Sequence, residues 1–249
     1  MIPKIIHYCW FGRGEKSEFT KKCLESWKNH LPDYEIMEWN EDNFDVNICK
    51  YTEQAYKAKK WAFVADYARL YVLYMYGGIY LDTDMMLYSS LNPFLDTIGF
   101  FGFESRDYIA MSLIGAEKGN QFIYDMMSQY SERSFVMDNG DYDTTTNVKY
   151  LKKVFLQHGL KENGKKQKIM GFDIYPQRYF LPNTFTMLFG KVPSGAVTIH
   201  FSSGSWGTDL QRKGIGTKKK QVFSYLVGIF RNFIGTDNVE LIRERIKGR

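Results

Sequence analysis

Residues 53–76 contain neither glycine nor proline, and Gly77 and Gly78 follow at once. Ala55, Ala58, Ala62, Ala65 and Ala68 favour one helix through this whole stretch. The glycine pair ends it, because glycine takes the left-handed conformation of a helix terminus at little cost. Ile79-Tyr80-Leu81 then reads as a short strand that delivers Asp82-Thr83-Asp84 at its end. A helix that turns into a strand with acidic residues at its carboxyl end is a building unit of an α/β sheet.

The rest of the chain fits that unit. Residues 2–10 are apolar and partly alternating, a strand running into a loop at Gly12. Phe19, Cys23 and Trp27 recur every four residues, one face of a helix over 17–30 with Ser17 as its cap and Pro32 past its end. Residues 34–39 read as a second strand. Helices are expected over 120–131 and 147–158, a polar basic loop over 161–168, and a β-branched strand over 197–201 that opens into Ser202-Ser203-Gly204-Ser205-Trp206-Gly207. There is no internal repeat. The 249 residues suffice for one sizeable core, and composition shifts only near residue 211. Two parts are therefore expected, a domain over 1–210 and a basic helical extension over 211–249.

The extension holds ten Lys/Arg and three Asp/Glu, so +7 of the chain's +5 net charge, leaving −2 for the domain. Such a tail suits either the anionic inner face of a membrane or a C-terminal helix packed on the domain with solvated lysines. A nucleic-acid partner is not expected, since no stacking motif or fold signature accompanies the charge. Cys9, Cys23 and Cys49 are odd in number and form neither a disulfide framework nor a zinc signature. With no secretory signal pattern at the start, the expected location is cytoplasmic, peripheral on the inner face of the cell membrane.

Four groups of residues carry chemistry. In an extended segment Asp82 and Asp84 point to one side, and two converging carboxylates call for a cation between them. Mg²⁺ or Mn²⁺ suits oxygen ligands. Asp66 and Arg69 share a helix face, amid Trp61, Phe63, Val64, Tyr67 and Leu70, which leave that face little solvent. Trp10 ends the first strand, where an α/β domain places its ligands. His200 ends the last strand, before a loop with hydroxyl and indole donors, and imidazole can complete a metal site. Each has an ordinary alternative: a solvated turn, a surface ion pair, a core tryptophan, a structural histidine.

Three stretches in this order resemble glycosyltransferase family 32: residues 2–12 (IPKIIHYCWFG), 62–69 (AFVADYAR) and 76–84 (YGGIYLDTD), with an echo at Ile199-His200-Phe201 and Gly204-Ser205-Trp206. The resemblance implies a GT-A fold, a Rossmann-like nucleotide-sugar-binding sheet flanked by helices. It implies a retaining, metal-dependent transferase with Mn²⁺ or Mg²⁺, a nucleotide-sugar donor (UDP-linked favoured) and a glycan or lipid-linked glycan acceptor, as in capsular polysaccharide synthesis. Trp10 would stack on the base, with Tyr8 and Tyr80 also beside the donor. Asp66 and Arg69 would hold the sugar, and Asp82 the ribose or sugar. Asp84 would ligate the metal, with His200 and Asp82, while Ser205 and Trp206 would meet the diphosphate. No role is carried onto Asp138, Asn139, Thr146 or Asn147. Other readings are a protein-modifying transferase of the clostridial toxin kind, a non-catalytic sugar-nucleotide binder, and a Mg²⁺-dependent phosphatase. The last is disfavoured because its Asp-x-Asp pair belongs on the first strand.

Overall fold

A computed structural model describes residues 1–182 and 192–201. The first half alternates strand and helix: β1 (Ile5–Cys9), α1 (Glu18–His30), β2 (Glu35–Trp39), α2 (Lys50–Lys57), α3 (Trp61–Tyr76) and β3 (Gly78–Leu81). There follow β4 (Met85–Leu87), β5 (Gly99–Phe103), β6 (Ile109–Ala116), α4 (Gln121–Ser128) and α5 (Asn147–Gln157). Last come β7 (Gln167–Ile169), β8 (Phe172–Tyr175), α6 (Gln177–Phe180) and β9 (Thr198–His200).

Seven strands form one sheet in the order β2-β1-β3-β6-β5-β8-β7, and β4 pairs with β9 in a small second sheet. The main sheet is mixed: β1 runs parallel to β2 and β3, whereas β6 runs antiparallel to β3 and β5. From β1 the chain moves outward to β2, then returns to β3 on the other side of β1. That reversal opens a crevice at the carboxyl ends of β1 and β3, where Trp10 and Asp82 lie. Apolar residues fill both faces of the sheet, one cluster around α3 and α5 and the other around α1 and α6.

The helix expected over 53–76 is two helices. Lys60 N–H bonds to Ala55 O at 2.9 Å and Lys59 N–H to Tyr56 O at 2.9 Å, with Lys59 at φ 56°. This is a Schellman stop with lysine in the place glycine usually takes, so composition does not reveal it. Gly77 does end α3, at φ 67°. Its Cβ position lies 2.6 Å from Lys118 N, so no larger residue fits without a backbone shift. Buried His7 fixes the same corner. Trp39 Nε1 donates to His7 Nδ1 at 3.0 Å, which leaves Nε2–H to donate to Gly77 O at 2.7 Å. Burial lowers the His7 pKa to about 4, against the opposing backbone bond.

Helix α1 matches expectation at its Ser17 cap, which accepts from Thr20 N–H. Its stripe departs at Phe19, which is 36% exposed and packs edge-on to Phe201. The helix steers β4: Trp27 Nε1 donates to Met85 O at 2.8 Å, and Leu87 N–H to Ser26 Oγ at 3.0 Å. The loop expected over 161–168 gives way to edge strand β7 at Gln167. The extension over 211–249, with Ser205 and Trp206, lies outside the described residues.

Candidate active site

A cleft of about 760 Å³ opens at the crevice, with Trp10 and Gly12 on one wall and Asp66, Arg69 and Tyr80 at the floor. Asp82, Asp84 and His200 stand at another wall, with Ser112 and Glu104 beyond. This volume lies within the usual range of small-molecule sites.

The floor is electrostatic. Arg69 reaches Asp66 Oδ1 at 3.2 Å and Asp82 Oδ1 at 3.4 Å, donates to Met111 O at 2.7 Å, and lies 4.7 Å over the Tyr80 ring. Asp66 and Arg69 are 2% and 4% exposed, so the surface-pair alternative fails. Burial is the largest influence on Asp66 and raises its pKa to about 6 despite Arg69; Asp82 adds to the rise. Burial would lower the Arg69 pKa, yet Tyr80, Asp82 and Asp66 together push it up. Asp66 Oδ2 is buried with no hydrogen bond among the described residues. An acceptor-only oxygen left so in a cleft suits a hydroxyl donor from a ligand.

The acidic wall is assembled from two sheets. Asp82 leaves β3 and its N–H donates to Ser112 O at 2.9 Å. Asp84 precedes β4, whose pairing with β9 places Met85 opposite His200. His200 Nε2 comes to 3.1 Å from Asp84 Oδ1. Burial alone would lower the His200 pKa, but the Asp84 hydrogen bond and the charges of Asp84, Asp82 and Glu104 raise it to about 9. Ligand atoms of Asp82, Asp84 and His200 all lie within 4.8 Å of one another. Adjacent ligands of an octahedral ion at about 2.1 Å sit about 3 Å apart, and opposite ones about 4.2 Å. The three groups therefore fit a divalent cation with small adjustment.

Trp10 faces the cleft, its indole N–H donating to Gly14 O at 2.6 Å. Tyr80 lines it; Tyr8 does not, packing edge-on to Trp27 and bonding to Glu38 instead. Among the further lining residues assigned no role from sequence are Trp61, Glu104, Ser112 and Asn147. Asn147 donates to Asp66 O at 2.8 Å and accepts from Tyr130 OH at 2.6 Å, which clamps the helix turn carrying Asp66. Gly12, at φ 94°, packs flat on Trp61; an added Cβ would meet the indole at 2.5 Å.

Comparison with known proteins matches residues 17–100 to the glycosyltransferase sugar-binding region containing DXD motif. This segment carries Asp66, Arg69, Asp82 and Asp84, the residues that converge on the cleft. The chain is 28% identical over 145 residues to inositol phosphoceramide mannosyltransferase 3 of Schizosaccharomyces pombe, covering 54% of this chain and 38% of that protein. It is 36% identical over 110 residues to an uncharacterized glycosyltransferase of Acanthamoeba polyphaga mimivirus, covering 41% of this chain and 42% of that one. The chain thus spans about two fifths of the length of these relatives. Among solved structures, it resembles a glycosyltransferase involved in the glycosylation of the major capsid of PBCV-1, with TM-score 0.52 and 10% identity over 86% of this chain and all of that one. That likeness concerns the fold, which is the GT-A arrangement the sequence resemblance implied.

Proposed function

We propose that the protein is a retaining, metal-dependent glycosyltransferase that moves a hexose or N-acetylhexosamine from a nucleotide-sugar, UDP-linked by preference, to a capsular, exopolysaccharide or lipid-linked glycan. The observation that carries this reading is the convergence of Asp82, Asp84 and His200 at a cleft whose floor holds the Asp66–Arg69 pair. The mixed carboxylate and imidazole set favours Mn²⁺ over Mg²⁺, since Mg²⁺ prefers oxygen alone. When bound, such an ion would neutralise the diphosphate and favour its departure.

The chain's own residues do the rest. Asp84 and His200 would hold the ion, with Asp82 beside them. Arg69 keeps Asp66 and Asp82 from repelling each other and fixes both carboxylates. Asp66 turns its free oxygen to a sugar hydroxyl, and Trp10 offers a ring face to the base. We favour front-side displacement, in which the leaving phosphate takes the acceptor hydroxyl's proton while fixed charges stabilise the departing one. Trapping of a covalent glycosyl adduct on the protein would contradict it.

A mannosyl donor linked to GDP is the second reading, favoured by the inositol phosphoceramide mannosyltransferase relatives. Turnover decides between them. Hydrolysis of UDP-glucose, UDP-galactose or UDP-N-acetylglucosamine with Mn²⁺ supports the first, and hydrolysis of GDP-mannose alone supports the second. Tight donor binding without hydrolysis or transfer to any acceptor would make the protein a binding module.

We place the protein in the cytoplasm, on the inner face of the cell membrane, through the basic extension over 211–249. No helix among the described residues is long and apolar enough to cross a membrane. Equal sedimentation with anionic vesicles, with and without those residues, would dismiss the extension as an anchor.

A further inference from the structure

The pairing of β5 with β6 is broken where it borders the cleft. Phe101 pairs with Ile114, but Phe103 pairs with Ile109. An unbroken antiparallel ladder would set Phe103 opposite Ser112. Instead β5 advances two residues (101 to 103) while β6 advances five (114 to 109), so three residues of β6 bulge out. Bulges re-aim side chains and recur beside active sites.

The break lies on the β5 side of β6; on the β3 side the ladder stays in register, with Leu81 opposite Leu113. Met111 O accepts from Arg69 and Ser112 O from the Asp82 backbone. Ser112 lines the cleft, and the residue is 5% exposed. Its hydroxyl, like Asp66 Oδ2, is buried and makes no hydrogen bond among the described residues. Arg69 reaches the other Asp66 oxygen, Oδ1, and on β6 the carbonyl of Met111, the residue before Ser112. A serine kept only to shape a bulge has no need of an unbonded hydroxyl, and alanine would serve there without that cost. A ligand that brings hydroxyls to both atoms satisfies both. The Asp66 carboxylate only accepts, whereas the Ser112 hydroxyl donates or accepts.

We propose that Ser112 is a specificity residue whose hydroxyl bonds an unsubstituted hydroxyl of the transferred sugar, opposite Asp66. This rests on the cleft being the donor site, as proposed above. It selects donors by a free ring hydroxyl: a sugar lacking that hydroxyl leaves Ser112 unbonded, and a site built to bond a hydroxyl rejects its deoxy analogue strongly.

The test uses the full chain with Mn²⁺. UDP and GDP are titrated first. Then come UDP-glucose, UDP-galactose, GDP-mannose and the monodeoxy forms of the best donor, each against wild type and Ser112→Ala. We expect Ser112→Ala to melt no lower than wild type without ligand, since it removes an unbonded buried hydroxyl. UDP or GDP affinity should stay within about twofold, while kcat/KM for the sugar donor falls about tenfold to hundredfold. One monodeoxy donor should be weak with wild type but no weaker with Ser112→Ala, the signature of a lost pairwise contact. A lower melting temperature with unchanged donor kinetics would make Ser112 a structural group and overturn the proposal. So would equal penalties for every deoxy donor in both proteins. Failure of wild type to bind either UDP or GDP would instead overturn the donor-site reading beneath it.

Discussion

Replacing Arg69 with methionine removes the cation between buried Asp66 and partly exposed Asp82. The side chain is nearly isosteric along its stem, so the loss is chiefly electrostatic. Arg69 neutralises Asp66 at 3.2 Å and Asp82 at 3.4 Å and satisfies Met111 O at 2.7 Å. Breaking a buried pair by removing one partner costs about 3–5 kcal/mol, and an orphaned carbonyl adds about 1–3 kcal/mol. Asp66 offsets part of this by taking a proton. Its pKa already stands at about 6, and losing Arg69 raises it further. We therefore expect Arg69→Met to lose about 4 kcal/mol at neutral pH, a large share of the ~5–15 kcal/mol that keeps a domain folded. The sign follows from the proton. The variant binds one more readily than wild type, so the stability gap narrows as pH falls below neutrality. Urea denaturation at pH ~7.5 and ~5 reads both effects, with an unchanged slope on denaturant as the control. Adding Asp66→Asn should recover much of the loss at the higher pH. A loss under ~1 kcal/mol, or no recovery in the double variant, would refute the view that Arg69 neutralises this floor.

Two other predictions concern protons. His7 is buried with its pKa lowered to about 4 from 6.5, so its contribution is fully present above pH ~6.5 and is lost as pH falls through ~4. It amounts to about 3 kcal/mol; proton NMR should show His7 neutral down to pH ~4, and titration near 6.5 would contradict the buried assignment. His200, with its pKa raised to about 9 by its acidic neighbours, carries a proton at neutral pH without an ion, and an ion displaces it. Calorimetry in buffers of different ionisation enthalpy should detect proton release on Mn²⁺ binding, with affinity rising toward pH ~9; proton-neutral binding would remove His200 from the ligand set.

The site was legible where chemistry sits at the end of an element. Asp82 and Asp84 follow a short strand, His200 ends another, and Asp66 and Arg69 share a helix with no solvent face. All five converge on one cleft. The middle of the sheet was not legible. Strands β5 and β6 are buried at every residue, so the alternation that marks a half-buried strand is missing. Ser112 escaped for the same reason, as one hydroxyl in a strand with no exposed face to mark it. Asn147 opens a helix that was expected, but what its side chain clamps is set by tertiary packing, as is the course of the connection that carries Glu104. The Lys59 stop escaped because its left-handed turn is held by backbone bonds, with no glycine to announce it.

Nucleotide binding with and without the ion probes the acidic wall itself. UDP and GDP are titrated calorimetrically into wild type and Asp84→Ala, each with and without Mn²⁺. We predict that wild type binds one nucleotide at least about tenfold tighter with Mn²⁺. Asp84→Ala should lose that increment while keeping its fold by circular dichroism. Equal affinity with and without Mn²⁺ in wild type, or an increment that survives in Asp84→Ala, would contradict a metal-assisted nucleotide site at Asp82, Asp84 and His200.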